Sequence, residues 1–225
     1  MSIRIDLELL RIVAMLAMLL DHIGAIFDVE YLRVIGRIAF PIFAYILVDN
    51  LIRTPEVQEK YLWRLLIFGV ISQLPFSIAF QTTMLNIMFQ FLGFVVFLKL
   101  NRILGLIISS ISDYSIFGFL YILTMYNYLN YQHGNRDGLI FPVYTSAFLL
   151  NISFFSIVHI LVTLVITTIL MLFRTVDPTE PSKVTSDSKG ISLELIRRGR
   201  SLPYYVFYIF YPAHILLIYI AKTYL

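Results

Sequence analysis

The sequence predicts an all-α fold: a polytopic bundle of about eight membrane-spanning helices (about seven to ten as bounds) forming one integral membrane domain over residues 1–225. Three observations predict it. AVILMFWYC residues make up 59% of the chain and DEKR only 14%, where soluble domains average about 25% charged. Mean hydropathy is +0.83, which leaves too little polar surface to face water. Apolar runs near the roughly 20 residues that cross a bilayer recur along the chain, divided by short polar links. A soluble enzyme, a disordered tail and a nucleic-acid-binding domain are excluded. Cysteine is absent, so disulfides, thiolate metal sites and a cysteine nucleophile are excluded too. The net charge of +3 and pI near 9.0 suit basic loops against anionic lipid.

Span one is Leu7–Phe27. It reads as a retained span, because Asp21-His22-Ile23-Gly24 stands where a signal peptide would carry small residues for cleavage. Span two runs over about Tyr31–Leu51, and the polar link Arg53 to Lys60 follows. Span three is Tyr61–Phe80, and a Gln81-Thr82-Thr83 turn leads to span four, Met84–Leu100. Residues 103–129 are apolar apart from Asp113 and read as one long span. A turn-rich segment from Gln132 to Gly138 separates them from two apolar stretches, Leu139–Leu150 and Ile152–Phe173. A polar loop over about 174–201 precedes the last span, from Tyr204 past Tyr219.

The positive-inside bias places Arg4, Arg53, Lys60, Arg64, Lys99 and Arg102 on the cytoplasmic side of an inner or plasma membrane, with the N-terminus inside. The preferred path has eight spans, with the basic residues Arg174, Lys183, Lys189, Arg197, Arg198 and Arg200 inside and the C-terminus outside.

An ionisable group within a span costs about 2.5–3.5 kcal/mol on insertion scales, so each is a functional candidate that needs a partner. Arg11 and His22 are eleven residues apart, about 20° around a helix and about 16 Å along it, and so share a face. Arg33 and Arg37 share a face at i and i+4. A hairpin centred on Val29–Glu30 sets level those residues whose numbers sum to about 59. Two polar layers follow: an outer one of Asp21, His22, Arg37 and Arg33, and an inner one of Arg11 with Asp49. Arg11–Asp49 reads equally as a charge pair at a membrane edge, Arg33 as an interfacial arginine, and His159 as a packed histidine. His22 titrates near neutrality, as a general base requires, with Asp21 available to fix its tautomer or to neutralise Arg37. Gln73 beside Pro75 offers an amide to backbone groups that the proline frees, and Asn86 opens span four near the depth of His22. Tyr211, Pro212 and His214 form a polar kink in the last span that reads either as a site or as a bend. No HExxH, GxSxG or phosphate-binding glycine loop is present, and the histidines lack metal-ligand spacing, so no metal is expected.

Several stretches resemble the TraX family in order and spacing. They are Asp21-His22-Ile23-Gly24, the run from Arg33 to Tyr45, the run from Lys60 to Phe68, Ser72-Gln73-Leu74-Pro75-Phe76, and Phe207-Tyr208 with Tyr211-Pro212 and His214. Residues 101–200 match weakly, although Ile196-Arg197-Arg198-Gly199-Arg200 is similar to the family's basic turn. The resemblance implies a membrane acetyltransferase that takes its acetyl group from acetyl-CoA, with pilin amino termini or surface glycans as envelope acceptors. Related membrane acyltransferases carry an arginine and a histidine in their first span at the spacing of Arg11 and His22. Carried over, His22 acts as base beside Asp21 and Arg37, while Arg11 with Arg53, Lys60 and Arg64 receives the polyanionic donor. Arg37 or Asn86 then stabilises the oxyanion; Arg33, Gln73, Tyr211 and His214 are further polar candidates. A small-molecule transporter and a non-catalytic pilus or envelope assembly factor are the competing readings.

Overall fold

The computed structural model describes residues 2–53, 58–131, 136–152, 156–176, 192–196, 203 and 205–224. Helix α1 spans Leu7–Phe27, the bounds the sequence predicts. Asp6 caps its start by accepting from the Glu8 amide, and Asp28 ends it in the left-handed region at φ 57°. The expected second span is broken into α2 (Glu30–Gly36) and α3 (Ala39–Arg53). Pro41 explains the break: it has no N–H to give the Arg37 carbonyl, and it is tolerated only because it falls in the first turn of α3. From Ala39 to Leu51 every residue of α3 is buried, so this is the central helix.

Helix α4 (Gln58–Phe80) runs through Pro75 without ending. Short helices α5 (Ile87–Lys99) and α6 (Arg102–Ser110) then form a tight antiparallel hairpin. Glycines permit the approach: a Cβ on Gly93 would lie 2.9 Å from the Gly105 carbonyl oxygen, and one on Gly105 would strike the Phe97 backbone. Leu85 and Ser112 close the open end of the hairpin as an isolated bridge. The single long span expected over 103–129 is therefore incorrect. The Ser-rich turn carrying Asp113 separates α6 from α7 (Ser115–Asn130).

Helices α7, α8 (Asp137–Leu149) and α9 (Ile157–Leu172) are joined by buried polar contacts. Tyr121 meets Thr167 at 3.0 Å, Thr124 meets Ser146 at 2.8 Å, and Asn151 donates to Thr163 at 2.8 Å. The segment expected as a polar loop contributes strands instead. β1 (Ser2–Asp6), β2 (Phe173–Val176) and β3 (Ser192–Ile196) form a parallel sheet in the order β1-β3-β2, with Arg4 paired to Glu194 at 3.0 Å. The fold is helical with this small addition. Lys183, Lys189, Arg197, Arg198 and Arg200 lie outside the described residues, as do positions 132–135 of the expected turn.

The last helix, α10, is Tyr205–Tyr224. The sheet gathers the start of α1 and the end of α9 at one end of the bundle, the sheet end. An even number of spans would return the C-terminus to its starting side, which conflicts with the expected eight spans and outside C-terminus. The reversal between α6 and α7 adds one helix to the expected order, and the contact of His214 with His22 sets the later half of α10 beside the far end of α1.

Among the described residues, four stretches are long and apolar enough to cross a membrane: Leu7–Phe27, Glu30–Arg53, Glu59–Phe80 and Tyr205–Tyr224. The remaining helices are shorter, so the expectation of about eight full spans is met only in part. The outward face of α4 shows why this chain belongs in lipid. Trp63, Ile67, Val70, Leu74 and Ile78 are all exposed there, a continuous apolar stripe.

Candidate functional site

Two glycines bring α1 and α2 into contact at the far end. A Cβ on Gly36 would collide with Asp21, and one on Gly24 would lie 2.7 Å from Arg33 Cγ. The contact sets Asp21 against Arg37, and the guanidinium donates to the carboxylate. Arg37 is 6% exposed, so the pair neutralises a charge that lies inside the protein. Asp113, in the turn after α6, lies within electrostatic reach of Asp21, Arg37 and Arg33. Glu30 reaches His159 at 3.5 Å, a partner the packed-histidine reading did not supply.

His22 leaves α1 on a different side from Asp21. Its Nδ1 is 2.7 Å from Nε2 of His214 on α10. The two ring planes agree within 4° and the ring centres are 4.9 Å apart. With so short an N···N separation, the rings meet edge to edge through one hydrogen bond. His214 Nδ1 is 2.6 Å from the Phe210 carbonyl oxygen, one turn back on its own helix. Phe80 and Tyr211 present edges to His22, at ring-centre distances of 5.1 and 6.0 Å. The Tyr211 hydroxyl is buried beside this pair. The last helix, continuous through Pro212, delivers His214 to His22, a pairing across 192 residues that no local signal in the sequence specifies.

The inner layer differs from expectation. Arg11 bonds Glu8 at 2.6 Å and Asp49 bonds Arg53 at 2.8 Å, so the expected Arg11–Asp49 pair is replaced by two pairs local to their own helices. An acid at i−3 competes better for Arg11 than one on another helix, because the spacing alone brings it into reach. Arg11 and Arg64 line one cleft at the sheet end, with Glu8 and Met15 of α1, Tyr61 of α4 and Phe207 of α10. Arg53 and Lys60 are not among its lining residues, which divides the expected basic cluster. Asn86 and Gln73 are also relocated. Asn86 caps α5, donates to the Gly69 carbonyl at 2.8 Å, and receives Gln73 as a partner at 3.0 Å. The pair latches α4 to α5, and among the described residues its hydrogen bonds do not go to His22; Gln73 serves the start of α5 rather than backbone freed by Pro75. Arg33 is half-buried, its stem lying along Gly24.

Cleft and histidine pair are flanked by the same helices, α1, α4 and α10. Glu8, Arg11, Met15 and His22 follow one face of α1, and Phe207, Tyr211 and His214 follow one face of α10. Arg11 to His22 covers about 16 Å of helix rise.

These features define a helical membrane protein with a buried polar centre near one end and a basic cleft near the other. The chain belongs to the TraX family: the family described as "TraX protein" matches residues 6–222. It is 36% identical over 87 residues to Protein TraX of Escherichia coli, covering 37% of this chain and 35% of that one. It is 39% identical over 70 residues to the probable fimbrial assembly protein FimC, serogroup H1, of Dichelobacter nodosus, covering 28% of each. An uncharacterized protein, RP591 of Rickettsia prowazekii, is 36% identical over 76 residues, covering 33% of this chain and 28% of that one. The matched stretches thus span about a third of these relatives. No solved structure matches.

Proposed function

We propose that this protein is a membrane-embedded acetyltransferase that moves an acetyl group from acetyl-CoA to an amine or hydroxyl of an envelope acceptor, such as a pilin amino terminus or a surface glycan. The observation that supports this most is the seam of α1, α4 and α10, which flanks both the cleft holding Arg11 and Arg64 and the His22–His214 pair. Arg64 and Arg11 would hold donor phosphates at the cleft mouth, with Glu8 moderating Arg11. The slender thioester arm would follow the seam toward His22. His22 would accept the proton of the acceptor N–H or O–H as the acceptor attacks the thioester carbonyl. Arg37, held by Asp21, supplies positive potential near the developing oxyanion. This reading places the donor side at the sheet end, in the cytoplasm.

The test is the melting temperature of detergent-purified protein with and without acetyl-CoA, followed by transfer of labelled acetyl to envelope fractions. A ligand at 100 times its Kd stabilises by about 2.7 kcal/mol. Arg64→Ala is expected to abolish the thermal shift, and His22→Ala to keep it while losing transfer. A wild type with neither shift nor transfer refutes the reading. A second reading, a non-catalytic assembly factor, is favoured by the name of the Dichelobacter nodosus relative, a probable fimbrial assembly protein. It predicts that His22→Ala restores assembly in a deletion strain as fully as wild type does.

A further inference from the structure

The geometry points to His214 as the residue that positions His22, the two forming an imidazole–imidazole dyad in which the lone pair lies on His22 Nε2. The use of that lone pair rests on the acetyltransferase reading; its location does not.

The protons follow from what each atom is able to do. A carbonyl oxygen only accepts. The 2.6 Å contact between His214 Nδ1 and the Phe210 carbonyl therefore puts a proton on Nδ1. In a neutral ring the other nitrogen, Nε2, then carries the lone pair. The 2.7 Å contact from His214 Nε2 to His22 Nδ1 consequently takes its proton from His22. His22 Nε2 is left as the basic atom. Both rings are buried, at 8% and 4% exposed, and the neighbouring Asp21 carboxylate is engaged by Arg37. Asp21 is thus unavailable for the orienting role that a carboxylate plays in many histidine bases, and His214 takes it.

The chemistry follows. The acceptor nitrogen or oxygen forms a bond to the acetyl carbonyl carbon, and its proton moves to His22 Nε2. The imidazolium is hydrogen-bonded to His214, while the neighbouring Asp21 carboxylate stays engaged by Arg37. As the carbon–sulfur bond breaks, the same proton returns from His22 Nε2 to the departing thiolate. The products are the acetylated acceptor and the free thiol, and the dyad regains its starting tautomers.

Two variants and one spectrum test this. His214→Phe keeps the ring volume but removes the acceptor for His22 Nδ1–H. His214→Gln places an amide oxygen where Nε2 stood. The His214→Phe protein is expected to lose about 10²–10⁴-fold in kcat, the range of general-base catalysis, with the acetyl-CoA KM unchanged. His214→Gln is expected to recover at least about tenfold of that loss, which a purely structural role would not produce. Independently of activity, nitrogen-15 NMR of histidine-labelled wild type in detergent is expected to show His22 protonated at Nδ1 and bare at Nε2. A His22 proton on Nε2 in wild type overturns the proposal whatever the activity. The expected tautomer together with full kcat in His214→Phe overturns the positioning role. The expected tautomer in a wild type that transfers no acetyl group upholds the dyad and refutes the acetyltransferase reading alone.

Discussion

Removing one partner of the Asp21–Arg37 pair is expected to destabilise the protein strongly, while removing both is not. Their side chains are 14% and 5% exposed. Water therefore cannot replace the lost partner, and breaking such a pair costs about 3–5 kcal/mol. Asp113 also faces Arg37 and takes up part of its charge, which sets Asp21→Asn at the lower end, about 3 kcal/mol. At about 2–4 °C per kcal/mol for a chain of this size, the melting temperature falls by roughly 6–12 °C. Arg37→Met leaves Asp21 near Asp113 without the guanidinium that bonds Asp21 and is expected to reach the upper end. The double variant Asp21→Leu with Arg37→Met removes both charges and is expected to regain most of the loss, giving a coupling of about 2 kcal/mol or more. Thermal unfolding of the four proteins in one detergent at equal concentration measures the cycle. Single variants within about 1 kcal/mol of wild type, or strictly additive losses, would refute a buried, mutually dependent pair.

Three other expectations follow from the geometry. Gly105→Leu drives a side chain into the Phe97 backbone; overpacking of this kind costs about 1–3 kcal/mol, and it should loosen α5 from α6, read as faster proteolysis at the turn around Asn101. Asn86→Ala removes the α5 cap and both ends of the α4 latch; a cap alone is worth about 0.5–2 kcal/mol, so the thermal loss should exceed that of Gln73→Ala. The chain has no cysteine, so single cysteines report sidedness directly: Arg4→Cys and Glu194→Cys should label from the same face of a sealed vesicle, and Thr223→Cys from the opposite face.

The outer polar layer was legible because hairpin arithmetic needs only the position of the turn. It set His22 level with Arg37; in the structure Asp21 takes that arginine, the glycines at 24 and 36 closing the gap, and His22 turns to His214. The first span was legible to the residue because Asp6 and Asp28 punctuate it on both sides. The break at Arg37 was hidden by the span's overall apolar length, although Pro41 marked it four residues further on. The α6–α7 reversal was hidden in the same way, since hydropathy does not register a turn built from Ser110, Ser112 and Ser115 around one aspartate. The sheet left a signal in its alternation, Ile3 and Ile5 in one strand and Leu193 and Leu195 in another. A reading tuned to apolar runs of about 20 residues passes over strands of five. The histidine dyad had no local signal at all, because tertiary packing alone joins α1 to α10.

The central position of β3 sets a timetable for synthesis. β1 and β2 have no contact with each other and pair only with β3, which begins at Ser192. At about 5–20 residues per second, β1 waits on the order of 10–40 s after its own synthesis before its partner exists. His22 waits longer still for His214. Until β3 is made the nascent protein holds an unmated strand edge at one end, and until the final helix docks it holds a lone imidazole at the other. A ribosome that stalls before β3 therefore leaves an inert membrane protein with an exposed edge, the kind of unfinished product that quality control can distinguish from the finished one.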